Sequence, residues 1–452
     1  MIKATARGMA VQMLTRVEVE GAYANLLLQK NIARLTDHRD RQFVTLLVNG
    51  ALKHRLTLDY ALRRYLSKPM SSLPHEIRAI LRIGAFQLLY VDKVPNAVAV
   101  NESVELAKQF PKFTGLVNVV LRKVMDKAWD FPWPDAQRET VRYLSVRYSH
   151  PEWMIQRWLK RWGLEETEAL CQANNEPALT WIRTNTLKIS REALMDRLIR
   201  EGITVELGIR VQESLKIQNF GALDQLETFG EGLFTVQDES SQLVAHVVAP
   251  TPGQRVLDAC SAPGGKTTHL AQLMQNEGEI LAFDVHEHKL ELIDRLAQRL
   301  GITIIRPLLG DARDLVGVKP RSQQRVLVDA PCSGLGVLRR RADLRWLKTE
   351  QDLLDLPRLQ LAILERAAAC VDIGGDLVYS TCTIEPEENF ELVKTFRSAH
   401  PEFEPVNLSE ILPFTLEDPR DLQQARKGML QLLPHRHGTD GFFLTKFRRR
   451  EV

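Results

Sequence analysis

The chain contains no run of about 18 consecutive apolar residues, the length that a membrane-spanning helix needs. Its start, Met1-Ile-Lys-Ala-Thr-Ala-Arg, lacks the long apolar core of a secretory signal. Cysteine is scarce and odd in number, five in 452 residues. That argues against a disulfide framework and for free thiols in a reducing cytoplasm. Net charge is small, +3, but unevenly spread. Residues 1–150 carry 23 Lys and Arg against 13 Asp and Glu, while 151–452 carry 37 against 44. A basic first third suggests that this region meets a polyanion such as nucleic acid.

What is present reads as two or three domains. Residues 1–130 are expected to be all helix. Met9-Ala-Val-Gln-Met-Leu, Phe43-Val-Thr-Leu-Leu-Val, Ile77-Arg-Ala-Ile-Leu-Arg and Leu116-Val-Asn-Val-Val-Leu space apolar residues by three and four. Pro74 and Pro95 sit where helices should start. Trp129-Asp-Phe-Pro-Trp-Pro-Asp reads as a linker. Residues 131–235 mix helix and strand: Leu179-Thr-Trp-Ile-Arg-Thr-Asn alternates like a strand, and 190–201 reads as a helix capped by Ser190. From 236 to 450 strands alternate with helices, predicting a doubly wound parallel sheet. The expected strands are 255–259, 279–284, 302–306, 325–329 and 376–380, and the expected helices 266–275, 287–300, 354–371 and 387–398.

Asp258-Ala-Cys-Ser-Ala-Pro-Gly-Gly-Lys-Thr-Thr follows the first of those strands and opens a helix. Gly264 and Gly265 bare the backbone where a ligand can approach a helix N-terminus. A phosphate loop would need glycine at the position of Cys260, and Pro263 interrupts the amide cradle, which disfavours a nucleotide triphosphatase. An S-adenosylmethionine pocket instead asks for an acid after the next strand. Asp284 stands there, 19 positions past Gly265, near the spacing of about 20 known from dinucleotide folds. Asp311 is placed for the adenine. For a lone Asp a helix cap is the commoner role, but Asp258, Asp284, Asp311 and Asp329 occupy successive strand ends.

Two cysteines end hydrophobic strands: Cys332 in Val326-Leu-Val-Asp-Ala-Pro-Cys-Ser-Gly and Cys382 in Leu377-Val-Tyr-Ser-Thr-Cys-Thr. Strand C-termini face the ligand crevice of an open α/β sheet, so two thiols there suggest covalent chemistry on a pyrimidine ring. Cys171, Cys370 and Cys260 read as packing residues.

Together Cys260-Ser-Ala-Pro-Gly-Gly-Lys, Asp329-Ala-Pro-Cys-Ser-Gly and Ser380-Thr-Cys-Thr-Ile with Glu385-Pro-Glu-Glu-Asn resemble the Nop2/Sun class of RNA cytosine-5 methyltransferases. Gly84-Ala-Phe-Gln-Leu-Leu-Tyr, Val98-Ala-Val-Asn-Glu-Ser-Val and Gly115-Leu-Val-Asn-Val-Val-Leu-Arg resemble a NusB-type RNA-binding domain. Arg183-Thr-Asn-Thr, Val236-Gln-Asp-Glu-Ser-Ser-Gln, Val337-Leu-Arg-Arg-Arg and Asp440-Gly-Phe-Phe extend the match over nearly the whole chain.

The resemblance implies a Rossmann-like class I methyltransferase domain, an all-α NusB-like N-terminal domain and a small α+β middle domain. It implies S-adenosylmethionine held by Cys260, Ser261, Ala262, Pro263, Gly264, Gly265, Lys266, Asp284, Asp311 and Asp329, with no metal. In that family the Thr-Cys thiol, Cys382, attacks the base and Cys332 assists its release. The implied substrate is a cytosine in 16S rRNA, with another rRNA or a tRNA cytosine as the alternative, and a cytoplasmic monomer is expected. Arg183 and Asn185 are implied RNA contacts, and Arg339, Arg340, Arg341 and Arg345 are placed for phosphates beside Cys332. Ser261 and Leu335-Gly336 depart from the family pattern and are expected to leave the chemistry untouched. The rival from another class is a non-catalytic RNA-binding or antitermination factor, which would leave both thiols and the acid series without a purpose.

Overall fold

The computed structural model describes residues 5–451 apart from 33, 34, 36 and 128. The first residues of the N-terminal segment, 1–4, thus lie outside the described residues. The chain forms two compact units, Met1–Glu176 with Leu338–Lys348, and Pro177–Val337 with Thr349–Val452.

The first unit is helical: α1 (Ala6–Glu20), α2 (Ala24–Ile32), α3 (His38–Lys53), α4 (Arg55–Arg63), α5 (His75–Tyr90), α6 (Asn96–Ala107), α7 (Pro111–Lys127), α8 (Thr140–Tyr148) and α9 (Glu152–Asn175). Its core joins the apolar stripes read from the sequence, among them Val44, Leu47, Val48, Ile80, Leu81, Val120 and Leu121. Pro74 and Pro95 cap α5 and α6, and Thr5 caps α1 by accepting from the Gly8 amide. The segment read as a linker is packed: Trp133 stacks on Tyr60 and Trp129 meets Tyr90 edge-on, with ring centroids 6.2 and 5.0 Å apart.

The second unit opens with an antiparallel sheet of order β2-β3-β1-β4, made of β1 (Thr180–Thr184), β2 (Thr204–Leu207), β3 (Ser214–Gln218) and β4 (Phe234–Val236). Helix α10 (Arg191–Arg200) starts at the predicted Ser190 cap, whose hydroxyl accepts from the Ala193 amide at 3.2 Å. Short α11 (Glu227–Gly230) precedes β4, and α12 (Glu239–Val248) leads into the large sheet.

That sheet contains β5 (Arg255–Asp258), β6 (Glu279–Asp284), β7 (Ile305–Leu309), β8 (Gln323–Asp329), β9 (Val371–Thr381), β10 (Phe403–Pro405), β11 (Met429–Leu432) and β12 (Phe442–Arg449). The order is β10-β12-β9-β8-β5-β6-β7, parallel from β7 to β9 and antiparallel at β12, with β11 pairing β12. Helices α13 (Gly265–Leu273), α14 (Glu287–Leu300), α16 (Asp352–Cys370) and α17 (Phe390–Ala399) connect the strands; α15 (Leu344–Leu347) belongs to the helical unit. Strand order reverses between β5 and β8, and such a switch point opens a crevice at the strand C-termini. Strand β7 starts three residues later than predicted. Its expected first residue, Ile302, is 6% exposed and closes α14, its amide bonded to the Ala297 carbonyl behind left-handed Gly301. Among the described residues no helix is long and apolar enough to cross a membrane.

Candidate active site

Strand β5 delivers the glycine loop. Ser261 anchors it to the end of β6, its amide and hydroxyl both donating to the Phe283 carbonyl at 2.8 and 2.9 Å. Gly264 turns the chain into α13 at φ +100°, a left-handed conformation suited to glycine, and a Cβ there would stand 3.2 Å from Ile293 Cα. The first helical turn then reaches inward. Lys266 Nζ pairs with Asp329 at 2.6 Å, and Thr267 Oγ1 donates to Asp258 at 2.7 Å.

The four strand-end acids converge, but they take different positions. Asp284, Asp311 and Asp329 line a cleft of about 510 Å³ together with Cys260, Ala262, Cys332 and Cys382. Asp258 lies beneath it, fully buried. Burial pushes its carboxyl up to about 7, and the charge of Asp329 adds to that push. Burial, followed by the combined charge of Asp258, Asp329, Asp284 and Asp311, holds the Cys260 thiol well above its ordinary range, so it stays protonated. Asp284 accepts the His286 amide at 2.9 Å, and Asp311 pairs with Arg313 at 2.5 Å. Val285, Ala312, Leu359 and Ile363 supply apolar walls. Bare glycine backbone, apolar walls and acids at the rim suit an adenosyl group with an amino-acid tail. Pro263, Gly264 and Gly265 shape the loop, and Lys266 faces Asp329 and the Phe442 ring, 5.2 Å from its centroid.

The two sequence-singled cysteines come together at this cleft with their sulfurs 3.3 Å apart. Adjacent strands β8 and β9 bring them there, with Asp329 opposite Ser380 and Ser380 Oγ donating to Asp329 at 2.7 Å. The bond to Cys382, then burial, hold the Cys332 thiol well above the usual range. Burial disfavours the charge of Lys266, but Asp329 outweighs this through its charge and its hydrogen bond and raises the Lys266 pKa. Lys266 thus keeps its positive charge beside the cleft that Cys382 lines.

Glu388 lies in the Glu385-Pro-Glu-Glu-Asn motif, and its role is visible only in the folded chain. Its carboxylate accepts the Ser333 amide and Gln360 Nε2, each at 2.8 Å, and a short bond from Ser333 Oγ, tying the loop after Cys332 to the segment after Cys382. Gly336 is the second residue of the Leu335-Gly336 pair that departs from the family pattern. Its amide donates to the Cys382 carbonyl at 3.0 Å and its carbonyl accepts the Gly441 amide at 2.8 Å. The Leu335-Gly336 departure, expected to be remote from the chemistry, therefore touches the Cys382 backbone.

Burial overturns the expected RNA contact for Arg183, Arg339 and Arg345. Arg345 is fully buried within the helical unit and donates to the carbonyls of Lys53, Ser149 and Asn174 at 2.9–3.1 Å. Arg339 is 6% exposed, and half-buried Arg341 pairs with Asp343. Arg183 and Asn185 are 1% and 2% exposed. Asn185 donates to the carbonyls of Gly232 and Leu300, so both side chains hold the protein together instead of presenting themselves to phosphate. Helix-end carbonyls are acceptors that a residue pattern does not reveal. Separately, Glu213, His246 and His269 gather within metal-ligand distance. His246 Nε2 lies 2.9 Å from Glu213 and His269 makes a short bond to the same oxygen, which reads as a hydrogen-bonded trio. The buried Nδ1 of His269 lacks the acceptor that metal-bound imidazoles use.

Comparison with known proteins agrees with this geometry. Family models match as 16S rRNA methyltransferase RsmB/F over residues 245–448, as the NusB family over 4–126, and as an RsmF/B-like ferredoxin-like domain over 150–224. The "Probable ribosomal RNA small subunit methyltransferase B" of Bacillus subtilis (strain 168) is 40% identical, covering 100% of both chains. The crystal structure of PH0851 superposes with TM-score 0.81 at 30% identity, covering 99% of each chain. That of NSun6 from Pyrococcus horikoshii with SFG superposes with TM-score 0.59 at 25% identity, over 67% of this chain and 99% of that one. The chain belongs to the RsmB/RsmF family of S-adenosylmethionine-dependent rRNA (cytosine-C5) methyltransferases.

Proposed function

We propose that the chain methylates C5 of one cytosine of 16S rRNA, the base numbered 967, through a transient bond between Cys382 and C6. The observation that carries this is the pair of sulfurs 3.3 Å apart at the rim of the acid-lined cleft. Cytosine C5 is too weak a nucleophile to take a methyl group unaided. Addition of the Cys382 thiolate to C6 makes C5 enamine-like. When bound, S-adenosylmethionine supplies an electrophilic methyl group; Asp284 and Asp311 would hold its nucleoside, and the loop from Cys260 to Lys266 its remaining atoms. Lys266 stabilises the Cys382 thiolate, and Asp329, fixed by Lys266 and Ser380, meets the base edge. Addition removes the bond to Cys382 that holds the Cys332 proton; Cys332 releases that proton to solvent and, as thiolate, takes the C5 proton, and the C–H electron pair restores the C5–C6 double bond and expels Cys382 as thiolate.

Two free thiols at one site require a reducing compartment, which supports a cytoplasmic location. The domain limits that go with this reading are 1–130 for RNA capture, 131–235 for the middle domain and 236–450 for catalysis. Tritiated S-adenosylmethionine should label unmodified 16S rRNA, and bisulfite sequencing should show one cytosine methylated only in cells carrying the gene. An unchanged bisulfite pattern in the deletion strain would sink the assignment.

A further inference from the structure

Arg183 stands on β1, opposite Ser214 of β3 and Thr235 of β4. Its guanidinium leaves that sheet for the cofactor helix. Nη1 donates to the Gly265 carbonyl at 2.7 Å and Nη2 to Thr268 Oγ1 at 3.0 Å, while Gln237 Oε1 accepts a short bond from Nη1. Thr268 Oγ1 donates in turn to the Gly264 carbonyl at 2.8 Å. The two residues between, Lys266 and Thr267, bond to Asp329 and Asp258. One turn of α13 is therefore held at its two outer residues by an arginine of the middle sheet and at its two inner residues by acids of the catalytic sheet.

A packing role alone does not account for this choice. Burying a guanidinium is costly unless every contact is good, and an apolar side chain fills such a space at lower cost. Burial draws the Arg183 pKa down to about 9, with Glu213 partly offsetting it, so the charge persists at neutral pH. What an arginine offers here is direction: two donors in a fixed fork that reach consecutive polar atoms of one helical turn.

We propose that Arg183 is a positioning residue for the methyl donor: through Gly265 and Thr268 it sets the first turn of α13, and with it the glycine loop and Lys266, in the geometry that receives S-adenosylmethionine. The proposal rests on the cleft being the cofactor site. The full-length chain is compared with Arg183→Met, Arg183→Lys and Thr268→Val, with Asp284→Asn run in parallel. Arg183→Met should raise the KM for S-adenosylmethionine and the Kd for S-adenosylhomocysteine about tenfold, the value of a lost charge-assisted bond. The KM for RNA should stay within about twofold, and Arg183→Lys should recover part of the loss. A folded Arg183→Met with unchanged cofactor constants overturns the proposal, as does a rise confined to the KM for RNA. If that variant does not fold, Thr268→Val decides: it should raise the cofactor KM roughly threefold, and no change overturns the idea. If Asp284→Asn also leaves cofactor binding unchanged, the cleft assignment itself is at fault.

Discussion

Gly336 has its amide on the Cys382 carbonyl, and a Cβ built there would fall 2.1 Å from the Gly441 carbonyl oxygen and 2.8 Å from that of Cys382. Backbone has nowhere to yield, so Gly336→Ala should displace Cys382. Overpacking of this kind costs about 1–3 kcal/mol. The expected result is a fall in kcat of at least about tenfold with near-normal cofactor affinity, read from steady-state kinetics and calorimetry. Equal kcat in the variant would show that the contact relaxes freely. Asp258 makes a second residue-level prediction. Its folded pKa, about 7, lies above the ordinary carboxyl value of 3.8. Between those values the folded state binds more protons than the unfolded one, so this group's contribution to stability falls as pH rises from about 4 to 7. Denaturant unfolding of wild type and Asp258→Asn at pH 4 and pH 8 should show the wild type losing ground to the variant by roughly 4 kcal/mol. A pH-independent difference between the two would contradict the burial argument.

At the level of elements, two loops carry the thiols and one buried carboxylate joins them. Removing Glu388 strands the Ser333 amide and leaves Gln360 Nε2 with the Pro331 carbonyl alone, so Glu388→Ala should destabilise the fold by about 3 kcal/mol in equilibrium unfolding. A loss below about 0.5 kcal/mol would mean that water replaces the carboxylate without penalty. Burial raises the Glu388 pKa, and Glu388→Gln should retain most of the stability. The strands and helices of the catalytic sheet were legible because buried parallel strands read as short apolar runs between amphipathic helices. Asp284, Asp311 and the thiols were legible because strand ends are where such sheets bind ligands. The short antiparallel strands β10 and β11 gave no such signal. The arginines misled for a physical reason: Arg183 and Arg345 find their acceptors in backbone carbonyls distant in sequence, and a residue pattern read as charge cannot distinguish such a brace from a phosphate ligand.

At the scale of the molecule, basic charge is concentrated in residues 1–150, and a NusB-family domain occupies 4–126. RNA binding by the whole chain should therefore be strongly salt-dependent. With about four phosphate contacts, affinity should fall roughly tenfold each time salt doubles, measured by filter binding or fluorescence anisotropy. A flat dependence would shift recognition to base stacking and shape. The most direct measurement of the central claim is capture of the bond between protein and base. Cys332→Ala incubated with target rRNA and S-adenosylmethionine should accumulate a denaturation-resistant protein–RNA complex, and peptide mapping should place the linked nucleotide on Cys382. Cys382→Ala should form no such complex, bind cofactor normally and transfer no methyl group. A complex mapped to Cys332, or near-normal turnover by Cys382→Ala, would contradict the account.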